Sequence, residues 1–179
     1  MVPLPQMNVL NKLSKVRNFV FDMDGVLTDG NLFIHENMNW VRQMNIKDGY
    51  ALQLAVKCGY KMIVVSGSHS PPVAERLRKL GIEDVFMGVV DKRKLLADLI
   101  TNYNIDSNEL LYMGDDLPDY EAMNMAGVAC CPADAATDIK KISSYISYKK
   151  GGEGCVRDVI EKVLRLNNHW PLQTTISSI

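Results

Sequence analysis

Short apolar runs, each ending in acids, glycines or hydroxyls and separated by helix-length segments, constrain this chain more than any other feature. Phe19-Val20-Phe21 runs into Asp22-Met23-Asp24-Gly25-Val26, and Lys61-Met62-Ile63-Val64-Val65 ends in Ser66-Gly67-Ser68. Val85-Phe86-Met87-Gly88 precedes a helical stretch with Lys92 at its start. Leu110-Leu111-Tyr112-Met113 ends in Gly114-Asp115-Asp116-Leu117-Pro118-Asp119. Strands are predicted near 61–65, 84–87, 109–113, 128–131 and 145–147, and helices near 71–80, 92–103, 118–126 and 154–166. From Asp48-Gly49 the spacing of Tyr50, Leu52, Leu54, Ala55 and Cys58 predicts a further helix ending at Gly59. Strand–helix alternation at this spacing predicts a parallel sheet covered on both faces, and right-handed crossovers make it doubly wound. Between the first strand and that helix, Asn31–His35 and Trp40–Ile46, separated by polar residues including Glu36 and Asn37, read as a β-hairpin.

In an open α/β sheet, ligands bind at the carboxyl ends of the strands. Asp22 and Asp24 fall at such an end, and alternation along an extended chain puts both carboxylates on one side. Such a pair repels unless a cation or a shared proton intervenes, and hard oxygen donors with room for water suit Mg²⁺. A solvated acidic turn gives the same letters, so the pair gains meaning from what answers it. Ser66 and the free N–H groups of Ser66-Gly67-Ser68 suit phosphate oxygens. Three of the four segments follow a predicted parallel strand directly.

The chain, 179 residues with 47% hydrophobic content and a formal net charge of -1, is long enough for one well-buried domain. A single domain over 1–179 is expected, with the hairpin inserted at about 29–47 and a tail at about 167–179. No basic excess points to nucleic acid, and no apolar stretch is long enough to span a bilayer. Residues 3–16 read as an amphipathic lead-in. Met1–Leu13 lacks the charged start and apolar core of a signal peptide. Cys58, Cys130, Cys131 and Cys155 show no metal-ligand spacing, and Cys130-Cys131, in an apolar run, reads as two reduced core residues, so a cytoplasmic protein is expected.

Four motifs in this order and strand context resemble the haloacid dehalogenase superfamily of phosphotransferases. That likeness implies a Rossmann-like fold of the superfamily's type. Relatives usually insert a cap domain after the first or second motif; here the first gap holds only the hairpin, and the second motif runs straight into a helix. The chain therefore looks capless. Asp22-Met-Asp-Gly-Val-Leu-Thr-Asp-Gly, Asn45-Ile-Lys-Asp-Gly-Tyr, Gly114-Asp-Asp-Leu-Pro-Asp and Gly151-Gly-Glu-Gly-Cys-Val-Arg-Asp are similar to the capless 3-deoxy-D-manno-octulosonate 8-phosphate phosphatases, over about residues 17 to 165.

The resemblance implies Mg²⁺-dependent removal of phosphate from an α-keto sugar acid by a homotetramer whose neighbouring subunits help close each site. Asp22 would be the nucleophile and Asp24 the acid and base. Ser66 and Gly67 would bind phosphoryl oxygens, and Lys92 would join nucleophile and phosphate. Asp22, the carbonyl of Asp24 and Asp115 would hold the metal, with Asp116 and Asp119 behind them. Asn45, Lys47, Asp48 and Gly49 match a loop on the substrate side, Ser68 sits at a specificity position, and Arg76 matches an arginine that reaches a neighbour's substrate. Bland readings stand beside these: Asp119 as a helix N-terminal acid, His35, His69 and His169 as surface residues, and Trp170 as either a site cover or one buried ring.

Ser68, Gln53 and Glu153 depart from the octulosonate pattern, and Lys79 on the face of Arg76 matches relatives that act on nine-carbon ketoacid phosphates. A salt bridge from Glu153 is the structural alternative for that change. An inactive tetramerisation module is a further alternative, although it would have little reason to keep Asp22, Asp24, Ser66, Lys92 and Asp115. A phosphoaspartate receiver domain is excluded, because its phosphorylated aspartate should follow the third strand.

Overall fold

The computed structural model describes residues 8–34 and 40–170. Helix α1 (Val9–Leu13) leads into β1 (Asn18–Asp22). A tight turn over Met23–Leu27 follows, then the hairpin strands β2 (Phe33–Ile34) and β3 (Trp40–Val41) and helix α2 (Ile46–Lys57). The remainder alternates: β4 (Lys61–Val65), α3 (Pro71–Lys79), β5 (Asp84–Phe86), α4 (Lys92–Asn102), β6 (Leu110–Met113), α5 (Tyr120–Met123), β7 (Val128–Cys131), α6 (Thr137–Ile142), β8 (Tyr145–Ile146) and α7 (Cys155–Leu166).

The sheet is parallel throughout, in the order β5-β4-β1-β6-β7-β8. Period-2 alternation splits its side chains between two apolar layers. Phe19, Phe21, Met62, Val64, Leu111 and Met113 face α1, α2, α3 and α7 through Leu13, Leu52, Leu77 and Ile160. Val20, Ile63, Val65 and Tyr112 face α4, α5 and α6 through Leu96, Met123 and Ile139. The order reverses around β1, where one connection leads to β4 and a later one returns to β6, so the crevice at a topological switch point opens beyond Asp22. This is the doubly wound, helix-covered fold expected from the sequence. Among the described residues no cap follows either motif, and no helix is long and apolar enough to cross a membrane.

Several boundaries differ from expectation for local reasons. The second hairpin strand stops at Val41 instead of running to Ile46, because Met44 forms an isolated antiparallel bridge to Thr28 and Asn45 caps α2 by accepting from Lys47 N at 2.8 Å. The helix expected over 118–126 is a 3₁₀ turn (Leu117–Asp119) followed by α5 alone. Beyond it Gly127 donates to the Ser107 carbonyl at 2.7 Å, and a Cβ there would meet that oxygen at 2.6 Å. Helix α6 escapes the periodic pattern because only Ile139 of its six residues is buried. The lead-in at 3–7, the hairpin tip with His35, Glu36 and Asn37, and the tail beyond Trp170 lie outside the described residues.

Candidate active site

Strand register assembles the site. Asp22 pairs with Val65, and Phe21 with Met113, so Ser66 and Gly114-Asp115 leave their strands at the level where β1 ends. Lys92, the first residue of α4, enters from the strand on the far side of β4, beneath Asp91, which caps that helix by accepting from Lys94 N at 2.8 Å. The extended chain stops at Asp22. Across Met23–Leu27 only Asp24 (φ -80°, ψ 121°) and Gly25 (φ 86°) depart from helical angles. Gly25 is required twice over: its φ favours glycine, and a Cβ would lie 2.0 Å from Asp115 Oδ2. From the other side, a Cβ on Gly151 would lie 2.0 Å from the Gly25 carbonyl oxygen. Gly152 N and Cys155 Sγ both donate to the Val26 carbonyl, at 3.0 and 3.2 Å. The Gly151-Gly152 pair thus lets the start of α7 brace the loop that carries Asp24.

At the centre a buried ammonium bridges two buried carboxylates. Lys92 Nζ donates to Asp22 Oδ1 and to Asp119 Oδ1, each at 2.8 Å. Asp119 also accepts from Tyr112 Oη at 2.8 Å and from Asp115 N at 3.3 Å. Asp22, Asp115 and Asp119 offer carboxylate oxygens all within 4.8 Å of one another. Burial, reinforced by the charge of Asp119 and only partly offset by Lys92, pushes Asp22 up to about 8. Burial and the charges of Asp119 and Asp116 push Asp115 up to about 7. Burial pulls Lys92 down, but Asp22 and Asp119 outweigh it and leave its affinity for the proton raised.

Three crowded carboxylates with one ammonium lack positive charge, and their hard oxygen donors fit a small divalent cation such as Mg²⁺. Asp22 and Asp115 suit direct ligation, whereas both oxygens of Asp119 are already engaged by Lys92, Tyr112 and Asp115 N. This extends the reading of Asp119 as a helix N-terminal acid: it is 1% exposed and ties the lysine to the acidic cluster.

A cleft of about 330 Å³ gathers Asp22, Asp24, Ser66, Gly67, Ser68, Lys92, Asp115, Asp116 and Asp119. Ser66 is buried, and its Oγ accepts from Ser68 N at 3.0 Å, which leaves the hydroxyl proton available to a ligand. The pairing expected for Asp24 differs. Because the turn begins at Met23, strand alternation does not extend to Asp24, and its carboxylate is forked by Arg42 instead, with Nε at 2.7 Å and Nη2 at 3.2 Å. Arg42 and Tyr112 are the site residues that sequence reasoning missed. Neither lies in a motif, although Tyr112 sits one residue from the end of a strand already placed at the site.

Other expected residues lie outside this cleft within the single chain. Asn45 donates to the Gly152 carbonyl at 3.2 Å and, with Lys47, lines a separate polar groove beside Arg157. Asp48, 2% exposed, accepts from Arg157 N at 2.6 Å and so caps α7, whose own cap residue, Gly154, has no side chain to offer. Burial, only partly offset by hydrogen bonds from the start of α7, raises Asp48 to about 6. Gly49 is buried in the same turn.

Arg76 and His69 line a cavity of about 790 Å³ with Trp40, Val41 and Arg42. Lys79 pairs with Glu75 at 2.7 Å on an exposed helix face, and Glu153 forms no ion pair among the described residues. His169 Nδ1 meets Tyr60 Oη at 3.0 Å, and Trp170 packs edge-on against Tyr50.

Residues 78–159 match the haloacid dehalogenase-like hydrolase family. The chain is 29% identical over 157 residues to 3-deoxy-D-manno-octulosonate 8-phosphate phosphatase KdsC of Salmonella typhi, an alignment covering 88% of this chain and 84% of that one. The crystal structure of the Yersinia pestis 3-deoxy-D-manno-octulosonate 8-phosphate phosphatase superposes with a TM-score of 0.88 at 25% identity, covering 91% of this chain and 88% of that one. The Moraxella catarrhalis phosphatase of the same name, solved with a magnesium ion, a phosphate ion and a KDO molecule, superposes with a TM-score of 0.87, covering 92% of this chain and 95% of that one. Identity to it is 31% across nearly its whole length, and the chain therefore belongs to the 3-deoxy-D-manno-octulosonate 8-phosphate phosphatase family of haloacid dehalogenase-like hydrolases.

Proposed function

We propose that this protein is a Mg²⁺-dependent phosphomonoesterase that removes phosphate from 3-deoxy-D-manno-octulosonate 8-phosphate through an aspartyl-phosphate on Asp22. The observation that carries the reading is the Lys92 ammonium bridging Asp22 and Asp119 inside a cleft that also contains Ser66 and Asp115. Asp22 Oδ attacks phosphorus while Lys92 fixes its orientation and supplies positive charge to the transition state. The Ser66 hydroxyl and the Gly67 N–H take phosphoryl oxygens. Asp24 delivers a proton to the departing sugar oxygen, then accepts one from the water that hydrolyses the acyl phosphate. Asp22, Asp115 and the carbonyl of Asp24 would hold the metal, with Asp116 and Asp119 orienting them; when bound, Mg²⁺ would neutralise charge on the nucleophile and the phosphoryl group.

The same reading makes the chain a homotetramer in the cytoplasm. Phe33 and Ile34 on β2 are 67% and 68% exposed, and Trp40, Val41 and Ile46 are more than half exposed, an apolar surface that suits a subunit contact. Four unpaired cysteines agree with a reducing compartment. The substrate-side roles of Asn45, Lys47 and Arg76 belong to this proposal only through an assembly in which one subunit completes its neighbour's site, whereas Asp48 and Gly49 are buried beneath that loop and support it. Lys79, on which the nine-carbon alternative rests, lies outside the reaction cleft of its own chain and pairs with Glu75 on an exposed helix face.

Phosphate release tests the reading. The eight-carbon acid phosphate should be hydrolysed in Mg²⁺ well ahead of the nine-carbon acid phosphate and simple sugar phosphates, and Asp22→Asn should abolish turnover. A tetramer that binds Mg²⁺ yet releases no phosphate from any of them would overturn it in favour of a scaffold.

A further inference from the structure

The guanidinium of Arg42 lies outside every motif and outside the residues that line the reaction cleft. Its side chain is 3% exposed, whereas the carboxylate it holds, that of Asp24, is 30% exposed. Both Asp24 oxygens are engaged, Oδ1 by Nε at 2.7 Å and Oδ2 by Nη2 at 3.2 Å, so the fork fixes the plane of the carboxylate as well as its position. Thr28 Oγ1, fully buried, adds a longer bond to Oδ1 at 3.4 Å. The other cation at the site, Lys92, is committed to Asp22 and Asp119.

Arg42 comes from the residue after β3, and the chain that carries it is tied back to the Asp24 loop by the Thr28–Met44 bridge two residues later. The inserted hairpin is thereby attached to the loop at two points, one through backbone and one through the arginine. An arginine serving only the hairpin would have no reason to bury its head on a carboxylate of the reaction cleft, since desolvating a charge costs energy that an exposed salt bridge avoids.

We infer that Arg42 is the positioning residue for Asp24: it sets the rotamer from which that carboxylate serves the leaving group and the hydrolytic water. The inference rests on the assignment of Asp24 to proton transfer made above. It gives the hairpin a role in the chemistry of its own subunit, separate from any contact with a neighbour. Free of the fork, Asp24 keeps its place in the chain but samples other rotamers, so the steps that need its proton slow while the attack by Asp22 does not. Mispositioning of a catalytic group by about 1 Å costs on the order of 100-fold.

The test separates those two steps with p-nitrophenyl phosphate, whose leaving group departs without protonation. In wild-type, Arg42→Met and Arg42→Lys proteins, checked for an unchanged circular-dichroism spectrum, rapid mixing reads the first release of p-nitrophenolate and the steady rate after it. Arg42→Met should keep the first release within about threefold of wild type and lose about 10- to 100-fold in the steady rate, as expected for a misplaced catalytic group and short of the roughly 100- to 10,000-fold that loss of general acid–base catalysis itself costs. Arg42→Lys, which keeps the charge and loses the fork, should recover part of that loss; it also carries the test if Arg42→Met fails to fold.

A steady rate unchanged in both variants while Asp24→Asn is inactive would overturn the role of Arg42 and leave the phosphatase reading intact. First and steady release falling together would equally overturn it, because the damage would then reach Asp22. An Asp24→Asn protein as fast as wild type would instead remove the assignment of Asp24 on which the inference stands.

Discussion

Asp48→Asn separates a structural carboxylate from a substrate-binding one. Asp48 lies in the Asn45–Tyr50 motif, whose family likeness points toward substrate, yet its side chain is buried against the start of α7 and accepts from Arg157 N at 2.6 Å. Burial raises it from the usual carboxylate value of 3.8 to about 6. A carboxylate harder to ionise folded than unfolded binds its proton more tightly in the native state. It therefore costs stability above the folded value, and the cost disappears below the unfolded one. A shift of about two units corresponds to about 3 kcal/mol well above pH 6, falling to about 1 kcal/mol at pH 4.5 and to nothing by about pH 3.

Asparagine retains the acceptor for Arg157 N and removes the charge, at the cost of a buried amide group where Oδ2 has no partner among the described residues. The expected net gain at pH 8 is about 1–2 kcal/mol, or about 2–8 °C in melting temperature for a chain of this size. Thermal unfolding followed by circular dichroism at pH 8 and at pH 4.5 measures it. The substitution should stabilise at pH 8, do little at pH 4.5 and leave KM unchanged. Equal destabilisation at both pH values would refute the argument from buried charge. A large rise in KM with an unchanged melting temperature would show that Asp48 meets substrate instead.

Two further outcomes follow from the packing of the site. Gly25→Ala forces a Cβ to within 2.0 Å of Asp115 Oδ2 at a φ of 86°. It should cost at least about 1 kcal/mol in backbone strain and displace the Asp115 carboxylate; Mg²⁺ affinity, read by calorimetry, should fall more than tenfold while the far-ultraviolet spectrum is unchanged. Mg²⁺ added to chelator-treated protein should raise the melting temperature, by an amount equivalent to about 2.7 kcal/mol at 100 times its dissociation constant, and Asp115→Asn should abolish the rise. A shift of the same size in that variant would place the ion elsewhere.

Reading the sequence worked best where a single physical rule governs many residues at once. The parallel sheet was legible because burial on both faces makes each strand a short apolar run, and the site edge was legible because the three central runs, β1, β4 and β6, end in polar clusters. Asp22, Ser66 and Asp115 follow from register alone: once β4 and β6 flank β1, the residues after their last paired positions must meet.

What the sequence concealed depends on single long-range contacts. Strand alternation puts Asp24 on the face of Asp22, but the turn from Met23 breaks it, and Asp24 finds its partner 18 residues away, just past a short strand whose two residues are apolar and exposed. Nothing local distinguishes Arg42 from a solvated hairpin cation; only its 3% exposure in the fold does. The Gly151-Gly152 pair was recognisable by likeness, yet its physical reason, a backbone packed against Gly25 and Asp29 too closely for any Cβ, exists only after α7 has folded back across the sheet. Family motifs in this chain therefore mix two kinds of residue. Some are aimed into the cleft; others, such as Gly151 and Gly152, hold the loop that does the aiming, and Asp48 caps the helix behind it. Sequence spacing cannot tell these apart, since both kinds sit beside the same turn, whereas burial and hydrogen-bond partners can. On that criterion the site extends beyond its motifs to the hairpin, and the residue that carries it there is Arg42.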